Sequence, residues 1–333
     1  MRNDPIFGLR VPLLFAHRGG AGEVPESTEA AFRHAVSAGA DVLEFDISLT
    51  QDNKIVLWHG PALDNVYIGS RLLGSLDIDQ VDWAGLGSAR VVHPKLPPER
   101  SSDPTRRLLL LEEFVALVKT IESERGMLAK IPWNIEIKGD RERWKAKFPE
   151  LFTILNPEAA QRKIVLAAQR RKLENPLHAA ASRHGLYAFN VCLEDQLAYK
   201  KLMRRGLLER VILGALDAGY SSERKASLQG YAFQTSYRLV SDQLVKEVHA
   251  RGGAVHAFLS DFGPAKGVEK KGDAKLKAEI QRLLKAGVDG IMTDYPEQVG
   301  RMLRGRWGSG VGVFVGVLSG GHSGGERGWG SAR

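Results

Sequence analysis

The chain has 333 residues, 43% of them hydrophobic and 26% charged, an ordinary globular composition that excludes disorder along its whole length. Its 47 Lys and Arg residues against 39 Asp and Glu leave a net charge of +8, a balance that suits nucleic acid, an acidic membrane surface or a phosphate-bearing ligand. Cys192 is the single cysteine, so an intramolecular disulfide and thiolate metal clusters are excluded.

Short apolar runs rich in β-branched residues alternate with longer segments of helical spacing, the pattern of βα units around a parallel sheet. Leu13 to His17 is the first expected strand. The apolar run that contains it, Arg10 to Ala16, is too short to span a bilayer and has no cleavage site, which makes a cytoplasmic protein the expectation. A helix follows over Thr28 to Ala38, with Ser27 or Thr28 as its N-cap and Gly39 at its C-terminal end. Next come strands over Val42 to Ile47 and Ile55 to His59, joined by the turn residues Thr50 to Lys54. From Asn65 to Arg107, Pro94, Pro97, Pro98 and Pro104 interrupt any long period, and an inserted loop region is expected over 65–107.

In the remainder, helices are expected over Glu112 to Glu124, Asn175 to His184, Glu194 to Arg205, Ser241 to Arg251 and Ala274 to Ala286. The strands between them are Trp133 to Lys138, Lys163 to Ala167, Leu186 to Asn190, Tyr231 to Gln234, Ala254 to Leu259 and Val288 to Thr293; Val211 to Gly214 competes for a place in the second half. From Leu303 glycine crowds the chain, and residues 303–333 are expected to be a flexible tail outside a domain of residues 1–302.

In Leu43-Glu44-Phe45-Asp46-Ile47 the two-residue period of a strand places Glu44 and Asp46 on one face and the apolar residues on the other. Two carboxylates held together repel unless one is protonated or a cation lies between them. Asn134-Ile135-Glu136-Ile137-Lys138 repeats the device. Three acidic groups from two strands suit a hard divalent ion such as Mg2+ or Ca2+, with Mn2+ compatible with the same oxygen ligands. His17 and His59 each end an apolar strand, where an imidazole can serve as general acid or base. Arg18 adds a planar fork suited to phosphate.

The ordered strings His17-Arg18-Gly19, Pro25-Glu26-Ser27-Thr28, Gly39 to Asp46, Thr50-Gln51-Asp52 and His59 closely resemble the glycerophosphodiester phosphodiesterase family. Asn134 to Lys138 and Gly287-Val288-Asp289-Gly290-Ile291-Met292-Thr293-Asp294-Tyr295-Pro296 resemble that family's later motifs, in the same order. The resemblance covers about residues 11 to 302. It implies an α/β fold of the TIM-type (β/α)8 barrel class, with the insertion lying after the second strand region. It also implies a metal-dependent enzyme that hydrolyses glycerophosphodiesters to an alcohol and glycerol 3-phosphate. Carried over by position, Glu44, Asp46 and Glu136 match the metal ligands, His17 and His59 the acid/base pair, and Arg18 and Lys138 the phosphate contacts.

The chain departs from the family's usual pattern at Gly60, where Asp is usual, and at Ser27, where Asn is usual. It also reads Phe258-Leu259-Ser260-Asp261 where a Trp-Thr-Val-Asn run is typical. These changes bear on the binding wall and the substrate more than on the reaction. Two rival readings follow. One is phospholipase-D-type cleavage of lysophospholipids on the same site; the other is a phosphodiester-binding module without turnover. The lysines around Lys266 to Lys277 read as a solvated face or a weak membrane-surface contact. No nucleic-acid-binding motif accompanies them. A small-molecule phosphodiester is the expected partner, and the sequence sets no oligomeric state.

Overall fold

The structure, a computed structural model, describes residues 2–93, 103–168, 171–192, 231–259 and 269–305. The helix expected over Glu194 to Arg205, the competing strand Val211 to Gly214 and the tail beyond residue 305 lie outside the described residues.

The elements run β1 (Leu13–Ala16), α1 (Glu29–Ser37), β2 (Val42–Leu49), β3 (Ile55–Leu57), β4 (Val66–Ile68), β5 (Arg71–Leu72), α2 (Trp83–Leu86), β6 (Arg90–Val91), α3 (Leu111–Glu124) and β7 (Trp133–Ile137). They continue with α4 (Arg141–Ala159), β8 (Ile164–Ala168), α5 (Arg171–Ser182), β9 (Tyr187–Cys192), β10 (Tyr231–Ser236), α6 (Asp242–Ala250), β11 (Ala254–Leu259), α7 (Glu269–Ala286), β12 (Gly290–Thr293) and α8 (Pro296–Gly305). Eight of the strands pair in parallel in the order β1, β2, β7, β8, β9, β10, β11, β12, and β12 returns to β1. With helices between them they form a TIM-type (β/α)8 barrel.

The alternation in β2 sorts its side chains as the strand period requires. Leu43, Phe45 and Ile47 face outward into the main core, where Phe45 meets Phe114 of α3 at 4.2 Å between ring centroids and Phe114 meets Trp133 at 5.1 Å. Val42 faces inward with Leu13, Phe15, Val165, Ala188, Ala232, Ala254 and Met292. Ile6 and Phe7 join that interior cluster from the N-terminal segment and close the lower end of the barrel. There the buried Asp4 carboxylate meets the buried His256 ring at 2.9 Å.

The described parts of the 65–107 region, residues 65–93 and 103–107, carry more order than a loop. The small strands β4, β5 and β6 form an antiparallel sheet. Val66, Leu73, Ile78, Leu86, Ala89 and Val91 build a satellite core with Val56 and Trp58. Elements of two or three residues are too short to leave a readable period, so this sheet is not legible in the sequence.

Helix α4 is absent from the sequence expectations because Pro149 and Pro157 fall inside it. Asp140 caps it, its Oδ1 accepting the amides of Glu142 and Arg143 at 2.9 Å. Trp144, Phe148, Leu151, Phe152 and Leu155 then bury one helical face.

Beneath the barrel wall, Arg162 is wholly enclosed between Glu122 and Glu158. It donates to Glu122 at 2.5 Å, to Glu158 at 2.8 Å and to the Ile131 carbonyl at 3.0 Å, and lies over the Trp133 ring at 4.3 Å. Burial alone would raise the Glu122 carboxyl, but its hydrogen bonds from Arg162 and the Ile131 amide hold it below the usual range. Arg162→Met leaves two buried carboxylates without that partner, so the unfolding free energy from urea titration at neutral pH should fall by about 3–5 kcal/mol. Because the folded carboxyl is depressed, its contribution is present above the ordinary carboxylate range and is lost as pH falls through it. The gap between wild type and R162M should therefore narrow below about pH 4.

Candidate active site

Parallel register brings the chemistry to one end of the barrel. Ala16 of β1 lies opposite Leu43 of β2 and Thr293 of β12, so the residues that follow, His17, Glu44 and Asp294, become neighbours at the C-terminal mouth. In the β2–β7 pair Glu44 faces Asn134 and Asp46 faces Glu136. Trp58 N–H donates to the Asp46 carbonyl at 3.1 Å, which returns the chain after β3 to the level of Asp46 and places His59 there.

The segment after β1 makes a tight turn over His17–Gly19 and then leads to α1, which Thr28 caps by accepting the Ala31 amide. Arg18 is held left-handed, at φ 51, a conformation that costs a non-glycine residue roughly 1 kcal/mol or more and is found where function demands it. Its backbone N–H donates to Glu44 Oε2 at 2.8 Å. Its guanidinium pairs with Glu26 at 2.8 Å and lies 3.1 Å from Asp46 Oδ2. Gly19 stands at φ +78, and a Cβ there would lie 2.7–2.9 Å from Ala31 of α1.

Glu44 and Asp46 are 2% and 1% exposed. Burial, with a smaller contribution from Asp46, drives the Glu44 carboxyl well above the usual carboxylate range. Burial would do the same to Asp46, but the Lys138 ammonium at 3.2 Å and then Arg18 outweigh it and hold Asp46 low. Lys138 also binds Glu136 Oε1 at 2.6 Å. The two carboxylates offset the burial of the Lys138 amine and keep it charged. For His17, burial favours the neutral ring, but Glu44 and Asp294 together outweigh it and raise the imidazole. Burial pushes His59 down to about 4, with Asp46 opposing and Arg18 and Lys138 adding to the fall.

Donor atoms of His17, Glu44 and Asp46 lie within 4.8 Å of one another. Asp46 Oδ2 is buried and, although Arg18 Nε lies 3.1 Å away, makes no well-directed hydrogen bond among the described residues. An oxygen-rich, electron-rich pocket of this kind fits a hard divalent ion. Glu136 stands across the register from Asp46 with its carboxylate on Lys138. The geometry thus gathers all seven predicted residues at the mouth, with His17, Arg18, Glu44, Asp46 and Lys138 in direct contact. Glu23, His34 and Glu297 form a second group, but Glu23 already accepts the amides of Glu297 and Gln298 as the cap of α8.

Beside His59 and Lys138 a cleft of about 90 Å³ is lined by Ser48, Gly60, Pro61, Ile78, Asp79, Asp140 and Trp144 among others. A Cβ at Gly60 would meet its nearest neighbours at 3.4–3.7 Å. The backbone there is left-handed, at φ +53, which glycine adopts without the strain that the usual Asp would carry. Ser27 has φ 58 and a buried hydroxyl with no hydrogen bond among the described residues. Asn is the better occupant of that backbone conformation. Phe258 packs against His17 in a tilted contact, 4.5 Å between ring centroids, while Ser260 and Asp261 lie outside the described residues.

Asp294 is the residue that sequence reasoning passed over. Its Oδ1 lies 2.5 Å from His17 Nδ1. It stands in a quoted motif, but only closure of β12 onto β1 reveals its partner 277 positions away.

Gly19→Ala adds both a strained φ and a clash with the α1 backbone. It should lower the melting temperature and depress kcat at least about tenfold, because the turn carries His17 and Arg18 together. Parallel thermal melts and steady-state rates check it.

Comparison with known proteins agrees with the fold and the motifs. The model of the glycerophosphoryl diester phosphodiesterase family matches residues 17–298. The chain is 25% identical over 292 residues to the glycerophosphodiester phosphodiesterase of Caldanaerobacter subterraneus subsp. tengcongensis, covering 88% of this chain and 98% of that one. It is similar in structure to a putative glycerophosphoryl diester phosphodiesterase from Silicibacter pomeroyi, with a TM-score of 0.65 at 19% identity, covering 89% and 94% of the two chains. An Oleispira antarctica phosphodiesterase solved in complex with the product sn-glycerol-3-phosphate shares the fold, with a TM-score of 0.58 at 17% identity over 88% and 97% of the chains. The chain belongs to the glycerophosphoryl diester phosphodiesterase family and is a phosphoric diester hydrolase.

Proposed function

We propose that this enzyme hydrolyses small glycerophosphodiesters to an alcohol and glycerol 3-phosphate, with His17 and His59 as its acid/base pair and Glu44, Asp46 and Glu136 as ligands of one divalent cation. The observation that carries the reading is the meeting of two histidines, three carboxylates, Arg18 and Lys138 at the C-terminal mouth of one barrel, where such folds build their sites. The bound product in the Oleispira antarctica relative supports the glycerol phosphate half of the substrate.

When bound, the cation, Mg2+, Ca2+ or Mn2+, supplies Lewis-acid stabilisation of charge on the phosphoryl oxygens. Arg18 and Lys138 bind and orient the phosphodiester, and their positive charge strengthens against the growing negative charge of the transition state. One imidazole accepts the proton of the attacking oxygen, either water or the neighbouring glycerol hydroxyl. The other delivers a proton to the departing alkoxide. If the glycerol hydroxyl attacks, the cyclic phosphate is opened by water in a second step that uses the pair in reverse.

The cleft beside His59 favours a small leaving alcohol by its size. At about 90 Å³ it is short of room for an acyl chain, although its lining mixes Leu49, Pro61, Ile78 and Trp144 with Asp79, Asp140 and Arg143. Lysophospholipid cleavage is therefore the second reading. No helix among the described residues is long and apolar enough to cross a membrane. A cytoplasmic enzyme acting on a water-soluble diester fits these features.

Purified protein incubated with glycerophosphocholine or lysophosphatidylcholine, with Mg2+, Ca2+ or chelator, gives the test. Choline and a phosphomonoester should appear from the first substrate, faster than from the second, and chelator should abolish both. Preference for lysophosphatidylcholine would exchange the two readings, and binding without turnover would contradict both. His17→Ala and His59→Ala should each lower kcat about a hundredfold or more; near-normal rates in either would remove that histidine from the chemistry.

A further inference from the structure

We propose that Asp294 is the positioning residue of His17, fixing the ring tautomer and orientation so that Nε2 faces the reaction centre. The inference rests on the acid/base reading of His17 above.

The geometry assigns each ring nitrogen a place. Nδ1 lies 2.5 Å from Asp294 Oδ1, while Nε2 points toward Glu44, 3.9 Å away. A carboxylate at that distance accepts the Nδ1 proton and leaves Nε2 to exchange protons with substrate. Phe258 packs against the ring at 4.5 Å between centroids, tilted by 56°, so a hydrogen bond and a ring contact both bear on its orientation.

Asp294 is itself held by the segment it serves. Its carbonyl accepts the Gly22 amide at 2.8 Å, and the next amide, Tyr295 N–H, donates to Thr293 Oγ1 at 3.0 Å. The Tyr295 ring occupies the place where a Cβ on Gly22 would stand, 2.4–2.8 Å from its atoms. Glu23 then ties the same segment to the first amides of α8. The strand end bearing Asp294 and the turn bearing His17 therefore move as one clasp, closed by the β1–β12 register. A carboxylate placed only to cap a backbone would not need to reach the ring.

Asp294→Asn keeps size and an acceptor but removes the charge, and Asp294→Ser removes the charge and draws the remaining oxygen back from the ring. Rates are measured with the metal-loaded enzyme on glycerophosphocholine, alone and in the His17→Ala background, with thermal melts alongside. D294N should lower kcat about 10–100-fold with KM within about threefold of wild type. In the H17A background it should change the rate less than about twofold, because Asp294 acts only through that ring. Long-range 1H–15N spectra should show the His17 proton on Nδ1 in the wild type and a shifted tautomer population in D294S.

Rates for both variants within threefold of wild type would overturn the proposal. So would a loss that persists undiminished in the H17A background, or a tautomer unaffected by D294S. If H17A itself retains normal rates, the acid/base reading fails instead, and the two failures are told apart.

Discussion

The structure turns on the burial of two carboxylates inside a barrel. Glu44 and Asp46 project from one strand into an interior that excludes water, where an uncompensated charge is costly and must be met by a cation or a proton. Almost every polar feature of the mouth answers that demand. Arg18 accepts a left-handed backbone and thereby gives its amide to Glu44 and its guanidinium to Asp46. Lys138 spans Asp46 and Glu136. His17 is drawn toward the charged form by Glu44 and Asp294. Burial raises the Glu44 carboxyl despite His17 and Arg18, a cost that a proton or a further cation would relieve.

The two ends of the barrel divide the work. At the lower end Asp4 and His256 pair beneath Phe7 and Phe15, while Asp289 holds Arg2 at 2.5 Å and His249 at 2.8 Å. Each of those charges is already matched by a neighbour, which suits them to joining the N-terminal segment to the barrel. At the upper end the charges are crowded and like signs lie together. A stabilising lower face and a site-bearing C-terminal face are the usual division in barrel enzymes. The +8 net charge therefore says little about the mouth, where the cations that meet the buried Asp46 are Arg18 and Lys138.

Much of this was legible in the sequence because β2 and β7 alternate acids with apolar residues, and a strand period of two leaves one arrangement for Glu44, Asp46, Glu136 and Lys138. Seven barrel strands beyond the first needed only short β-branched runs between helical segments. What stayed hidden required tertiary contact. Helix α4 forms despite Pro149 and Pro157 because Trp144, Phe148 and Leu151 are buried against the barrel. The sheet of β4 to β6 is made of pieces too short to carry a period. The His17–Asp294 contact exists only when the first and last strands meet, and no local pattern announces a partner so distant.

The central claim is that the Glu44–Asp46 pair is built to hold a divalent cation, and isothermal titration of the cation-stripped protein with Mg2+ and with Ca2+ tests it most directly. Saturable binding of one ion per chain is predicted, abolished or greatly weakened in Glu44→Gln and Asp46→Asn variants that retain cooperative thermal unfolding. Absence of binding in the wild type, or equal affinity in the folded variants, would contradict it.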